Sequence, residues 1–204
     1  MIGIVDYGLG NLQAFANIYK RLNIPATLAS TPEALEQADH LILPGVGSFD
    51  WAMQRLQESE LRQTLDKQVL EKEIPVLGIC VGMQMMARSS EEGNEAGLGW
   101  IDAEVKRFEF NSDSDQLMLP HMGWNDVTTT RANKLFTGLD TDALFYFLHS
   151  YFFAPDKESD IIATALYGRT FACAAGNNNC YGVQFHPEKS HNWGIQLLKN
   201  FAEI

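Results

Sequence analysis

Cysteine is scarce in this chain: three residues among 204, at Cys80, Cys173 and Cys180. They make no Cys-x-x-Cys pair and show no zinc-site spacing, and an odd number cannot all pair within one chain, so free thiols and no bound metal are expected. Positive charge is also scarce. Fifteen Lys and Arg face 26 Asp and Glu, for a formal net charge of −11. Such a surface repels nucleic acid unless a basic patch intervenes, and Lys106-Arg107 is the densest pair before the tail. The acidity suits a soluble protein, or one that docks on a basic partner. No apolar run reaches the roughly 18 residues of a membrane span. The first residues lack the basic flank and cleavage site of a signal peptide, which leads to the expectation of a cytoplasmic protein. No repeat or linker divides the sequence, so a single domain over residues 1–204 is expected.

What is present alternates. Residues 2–6 are a short apolar run closed by Asp6-Tyr7-Gly8-Leu9-Gly10-Asn11, a strand and a turn. Leu12, Phe15, Ala16, Tyr19 and Leu22 recur at helical spacing. Residues 25–28 read as a second strand. Thr31 is placed as an N-cap with Pro32 at the first helical position. Residues 41–43 form a third strand closed by Pro44-Gly45-Val46-Gly47, and residues 49–73 carry a helical pattern with a break near Ser59. Residues 75–79 have the composition of a fully buried strand, followed by a helix over 81–87. Strands alternating with helices predict an α/β fold: a central, mostly parallel sheet with helices on both faces. After Glu91 the pattern changes to strand-like runs at 103–110, 124–130, 144–153, 161–167, 170–175 and 181–185, an antiparallel extension in the C-terminal half. Residues 111–116 read as an exposed loop, Asn177-Asn178-Asn179 as a hairpin turn, and 193–201 as a last helix.

Three segments carry chemistry. Gly78-Ile79-Cys80-Val81-Gly82 is a small-x-nucleophile-x-Gly pattern between a buried strand and a helix, the context of a nucleophile elbow. Flanking glycines permit the tight turn, the helix N-terminus favours a thiolate, and the Val81 N–H would face an oxyanion. Cys also occurs as a small buried hydrophobe. Gln184-Phe185-His186-Pro187-Glu188 follows an apolar strand. There His186 can serve as base to Cys80, and Glu188, two residues on in an extended stretch, can orient it. Leu43-Pro44-Gly45-Val46-Gly47-Ser48 follows another buried strand, and Val46 or Gly47 can supply a second oxyanion donor. No Gly-Lys-Ser/Thr follows that turn, so it is not read as a phosphate loop, and no cofactor is expected.

Together these segments resemble the class I, triad-type glutamine amidotransferases. Asp6-Tyr7-Gly8-Leu9-Gly10-Asn11-Leu12, residues 44–49 and 78–84, Pro120-His121-Met122-Gly123-Trp124-Asn125, His149-Ser150-Tyr151 and residues 185–190 further resemble the glutaminase subunits of imidazole glycerol phosphate synthases. The resemblance runs from Ile4 to Phe201. It implies the family's three-layer fold, L-glutamine as substrate, Cys80 as nucleophile, His186 as base and Glu188 as its support. It also implies that Gln84 and Glu92 hold the amino-acid portion of glutamine, and that His149, Ser150 and Tyr151 wrap its carboxylate. Ammonia would pass to a (β/α)8 cyclase subunit in histidine biosynthesis, with Asn11, His121, Met122 and Trp124 at that interface. Such residues on one loop suit a binding hot spot. Some segments depart from the pattern: Val81 stands where leucine is usual, and His191-Asn192-Trp193 and Leu98-Gly99-Trp100-Ile101 look more like paralogues that feed a sugar amidotransferase in surface-polysaccharide synthesis. A Cys-His peptidase of similar fold and a non-catalytic interaction module are the remaining alternatives.

Overall fold

A computed structural model describes residues 1–110, 117–139 and 143–204; the loop expected at 111–116 lies outside them. The first half alternates as expected. Strand β1 (Ile2–Val5) is wholly buried and leads to helix α1 (Leu12–Arg21), which buries Phe15, Ile18 and Tyr19. Asn23, with φ of +56°, turns the chain after the helix. Strand β2 (Ala26–Ala29) leads to α2 (Pro32–Glu36), where the Thr31 side chain accepts a hydrogen bond from the Ala34 N–H with Pro32 in the first turn. Strand β3 (His40–Gly45) and helix α3 (Phe49–Glu58) follow. The expected break comes at Ser59–Leu61, where Glu60 has φ of +61°. Helix α4 (Arg62–Asp66) then loosens into a π-type turn, Lys67–Glu71. Strand β4 (Val76–Cys80), buried at every position, runs directly into helix α5 (Val81–Met85).

The second half is strand-rich: β5 (Ser89–Ser90), β6 (Ala103–Arg107), β7 (His121–Asp126), β8 (Thr128–Thr129), β9 (Leu144–His149), β10 (Tyr151–Pro155), β11 (Ile161–Tyr167), β12 (Arg169–Asn177) and β13 (Cys180–Val183). Helix α6 (His191–Ala202) follows. The main sheet has the order β2-β1-β3-β4-β13-β12-β10-β6-β5, with β11 and β8 branching from β12. Pairing is parallel from β2 to β13 and antiparallel across β13-β12-β10-β6. The Asn177–Cys180 turn is tight, and Asn178 adopts φ of +52°, supplying the left-handed residue without a glycine.

Two expectations change. Strands β7 and β9 do not extend the main sheet but form a separate antiparallel pair, His121↔His149 through Asp126↔Leu144. The alternation of β9 explains this. Phe145, Phe147 and His149 are buried while Leu144 and Leu148 are exposed, so one face packs down on Phe171 and Phe185 instead of joining edge to edge. Residues 120–125, read as a loop, lie mostly in that pair. The run at 144–153 breaks at Ser150 into two strands that serve different sheets.

Candidate active site

Cys80 ends β4 and caps α5 with φ +55° and ψ −113°, a backbone conformation that L-residues avoid. The elbow is held by close backbone approach. A Cβ on Gly82 would sit 1.9 Å from the Leu43 carbonyl oxygen, and one on Gly45 would sit 2.3 Å from the Gly82 nitrogen. Gly45 lies beside Cys80 in the parallel register, so the two glycine turns face each other at the same sheet edge. Helix α5 spans only five residues. So short a helix offers its first N–H groups at the Cys80 end, more than a long macrodipole.

His186 follows β13 and is fixed by its backbone N–H, which donates to the Tyr146 carbonyl at 2.8 Å. Its Nδ1 lies 2.9 Å from Glu188 Oε1. The intervening backbone is a 3-10 turn, Pro187–Lys189, and not the extended stretch inferred from the two-residue spacing. The tight turn brings the same two groups together by another route. Glu188 Oε2 is buried with no hydrogen-bond partner among the described residues, so His186 is the one side chain there hydrogen-bonded to this carboxylate. Burial alone pulls the His186 pKa down, but contacts with Cys80 and then Glu188 outweigh it and raise the pKa to about 10. The other two thiols are buried: Cys173 is pushed well above the ordinary range and Cys180 up to about 12, both by burial.

The loop of residues 44–48, expected to supply the second oxyanion donor, is anchored from two sides. The buried Tyr7 hydroxyl donates to the Pro44 carbonyl at 2.6 Å. Glu92 Oε2 accepts from the Phe49 N–H at 2.8 Å. Asp50 in turn accepts from the Asn94 and Glu95 N–H groups, so the 92–95 loop and the start of α3 clamp each other. Between these anchors Val46 and Gly47 are exposed, and Gly47 has φ of +89°. The structure thus brings Val46, Gly47 and Val81 to the Cys80 edge. Glu92, as it stands, organises the loop.

A model of the family described as "Glutamine amidotransferase class-I" matches residues 4–204. The chain belongs to the class I glutamine amidotransferases. It is 56% identical over the full length of both chains to "Imidazole glycerol phosphate synthase subunit HisH" of Bdellovibrio bacteriovorus, and 51% identical, again over both full lengths, to the protein of that name from Leptospira interrogans. Its fold matches a solved structure titled "Crystal structure of glutamine amidotransferase" with a TM-score of 0.75 at 21% identity, covering 100% of this chain and 99% of that one. Membership in this family favours the glutaminase reading over the peptidase alternative.

In this amidotransferase the segment matched to the substrate carboxylate does more than line a surface. The Leu148 carbonyl lies 3.9 Å from Cys80 Sγ. His149 is buried and donates from Nδ1 to the Tyr151 carbonyl at 2.8 Å. With its Nδ1 protonated, its Nε2 must accept, and His121 Nδ1 donates to it at 3.0 Å. His121 Nε2 then accepts from the Asn125 amide at 3.3 Å. The Tyr151 carbonyl also accepts from Gln84 Nε2 at 3.2 Å. Both Gln84 amide protons are therefore engaged within the protein, since the same nitrogen donates to Gln184 Oε1 at 3.0 Å. Any ligand contact by Gln84 falls to its Oε1.

Among the residues matched to a partner face, Met122 is 63% exposed and Trp124 44% exposed, on the outward face of β7. Leu148 lies opposite Met122 in the register. Asn11 is exposed at the start of α1. His121 requires a correction: it is 4% exposed, stacked between Phe147 and Tyr167, because strand alternation turns it inward while Met122 and Trp124 alternate with neighbours below. Tyr7 and Gln184 were not singled out from sequence. Tyr7 sits in the Asp6–Leu12 segment, but no spacing signals that its hydroxyl reaches residue 44. Among the described residues no group of three or more His, Cys, Asp or Glu could hold a metal, and no helix is long and apolar enough to cross a membrane.

The histidine pair sets an expected acid response. Burial lowers the His121 pKa to about 4. Burial lowers that of His149 to about 3, with the bond to Tyr151 opposing and His121 and His186 adding to the drop. Unfolded, both return to about 6.5. The unfolded chain therefore binds more protons between pH 6.5 and 4, and stability present above pH 6.5 is lost as the pH falls through this window. His186 adds nothing there: its raised pKa makes its contribution complete below about 6.5, with loss only as pH rises towards 10. Urea midpoints should fall steadily from pH 7 to pH 4, and His121→Asn should flatten that slope by roughly one proton. An unchanged slope in the variant would mean that His121 is not held neutral.

Proposed function

We propose that this chain is the glutaminase subunit of an imidazole glycerol phosphate synthase, a single cytoplasmic domain over residues 1–204 that hydrolyses L-glutamine and passes ammonia to a (β/α)8 cyclase subunit for histidine biosynthesis. The observation that carries the chemistry is the strained Cys80 elbow beside a His186 imidazole held by Glu188 at 2.9 Å. Cys80 attacks the side-chain amide carbon of glutamine. The oxyanion meets the Val81 N–H and the Val46–Gly47 backbone. The His186 imidazolium gives its proton to the leaving nitrogen, the C–N bond breaks, and a thioester and ammonia result. His186 then takes a proton from water, which attacks the thioester and releases glutamate and Cys80. Glu188 holds the tautomer and stabilises the imidazolium. Glu92, the Gln84 Oε1 and the segment from His149 to Tyr151 bind the amino-acid end of the substrate.

Ammonia released to water is protonated near neutral pH and loses its nucleophilicity, so the partner seals the site. Asn11, Met122 and Trp124 form part of that contact, and His121 supports it from beneath. No nucleic acid or membrane partner, metal or cofactor enters the reaction. Glutamate release should be weak for the isolated chain and rise when cyclase and acceptor bind. High activity of the pure subunit alone would count against this. Trp124→Ala should weaken cyclase binding by about 30-fold, or about 2 kcal/mol, by calorimetric titration. An unchanged Kd would remove Trp124 from the interface.

One observation favours a second acceptor. His191, in the segment that departs towards the surface-sugar paralogues, stacks on Trp124 with ring centroids 5.1 Å apart and planes at 10°. The departure thus falls on the partner face, where a different synthase would be read. Measuring which purified synthase, the histidine-pathway cyclase or a sugar amidotransferase, forms the complex and turns on glutamate release decides between them.

A further inference from the structure

Gln184 is fully buried between β13 and His186, and the mechanism above gives it no role. Its backbone N–H is used by the Cys173 carbonyl at 2.8 Å. Its side chain lies between two groups: Oε1 is 3.0 Å from Gln84 Nε2, and Nε2 is 3.7 Å from Cys80 Sγ.

Which end of this amide faces the sulfur follows from an atom that cannot be reversed. The Tyr151 carbonyl is backbone and only accepts. Gln84 must therefore turn its nitrogen towards it, and the second proton of that nitrogen points at Gln184. Gln184 must answer with its oxygen, which leaves its N–H aimed at Sγ. A reversed Gln184 would set two nitrogens against each other and bring a carbonyl to the sulfur. His149 secures the starting point by donating to the same Tyr151 carbonyl at 2.8 Å.

The sulfur needs such a donor. The Leu148 carbonyl, 3.9 Å away, is an acceptor that suits a neutral thiol and repels a thiolate. A hydrogen bond to the charged form favours that form and is stronger than one to the neutral form. We propose that Gln184 is a further catalytic residue: its side-chain N–H holds Cys80 Sγ as the thiolate and fixes where the sulfur sits opposite the Leu148 carbonyl. This rests on Cys80 being the nucleophile. The donor acts on the reacting atom before and after the thioester exists, so it serves kcat more than the capture of glutamine.

The test uses the full-length chain with two substitutions of similar size. In Gln184→Glu one oxygen still meets Gln84, and the other sets an acceptor and a negative charge against the sulfur. In Gln184→Met both bonds are lost. Gln184→Glu should lower kcat/KM for L-glutamine by roughly 100-fold and Gln184→Met by roughly 10-fold, with KM moving less than about 3-fold. The pH at which iodoacetamide alkylates Cys80 at half its maximal rate, read by mass spectrometry of the Cys80 peptide, should rise by about 1 pH unit in Gln184→Met and further in Gln184→Glu. Wild-type kcat/KM in Gln184→Glu would overturn the proposal. So would an unmoved alkylation profile in both variants, which marks a packing role. Cys80→Ala separates the two levels: its residual activity judges the nucleophile, whereas an inactive Cys80→Ala beside indifferent Gln184 variants sinks only the present inference. Should neither variant fold, the wild-type chain still decides. As Cys80 ionises, one of the two Gln184 side-chain amide protons should move downfield in its NMR spectrum and the other should not; two unmoved protons refute the contact.

Discussion

Cys80→Ala lowers glutamate release from the partner-bound subunit by on the order of 10⁴-fold or more, and His186→Ala falls to a similar floor. The two act as a unit. Without the imidazole the sulfur loses its charge partner and the leaving nitrogen its acid; without the sulfur there is nothing to serve. The double variant should therefore be no worse than either single one, when additive effects would multiply. Glu188→Gln should be milder, because the amide retains an oxygen that can accept from Nδ1 at the 2.9 Å position while losing the charge that favours the imidazolium. Coupled assays of glutamate release, run with synthase and acceptor present, check all four proteins. Multiplicative losses in the double variant would break the triad into independent groups. Activity surviving in Cys80→Ala would return the chain to the interaction-module alternative.

Gly82→Ala should be among the costliest single methyl groups in the described residues. The added Cβ would fall 1.9 Å from the Leu43 carbonyl oxygen and 2.9 Å from its carbon. Those atoms belong to β3, which is hydrogen-bonded to β1 on one side and β4 on the other. Neither strand can retreat without breaking a ladder. Overpacking against backbone in this setting costs about 3 kcal/mol, or roughly 10 °C in Tm for a chain of this size. It should also abolish activity, because the same approach sets the Cys80 turn. Gly99→Ala is the contrast. Its Cβ would meet nothing within 4 Å, and only the φ of +68° resists it, so about 1 kcal/mol is expected. Chemical denaturation of both variants distinguishes crowding from dihedral strain; equal losses would show that the close approach at Gly82 is not what constrains the elbow.

The features that sequence disclosed were those governed by near neighbours. The Thr31-Pro32 helix start, the break after Ser59 and the strand before Cys80 each follow from local propensity or a short apolar period. The spacing of His186 and Glu188 was legible as a pair even though the backbone between them is a 3-10 turn, because two residues bring the side chains to one side either way. What stayed hidden depends on contacts far apart in sequence. Nothing near Tyr7 announces that it donates to Pro44, and nothing near Gln184 announces Gln84, which is a hundred residues away. The interface expectation for His121 fails for the related reason that its motif gives composition but not direction. Whether it faces a partner or the core depends on the strand pairing with β9, which fixes the alternation.

The chain of hydrogen bonds from Asn125 to the sulfur has one more consequence. Its imidazoles can exchange protons, but its last two members, Gln84 and Gln184, are neutral amides that orient partners without accepting a proton. They pass no proton between the sulfur and the two neutral histidines, although the polar contacts are continuous. A proton leaving Cys80 has a single base to go to, His186, and one arriving from solvent at the β7 face stops at His149. The site thus exchanges no proton with the neighbouring strand pair and feels it through geometry and through the charge coupling of His149 with His186.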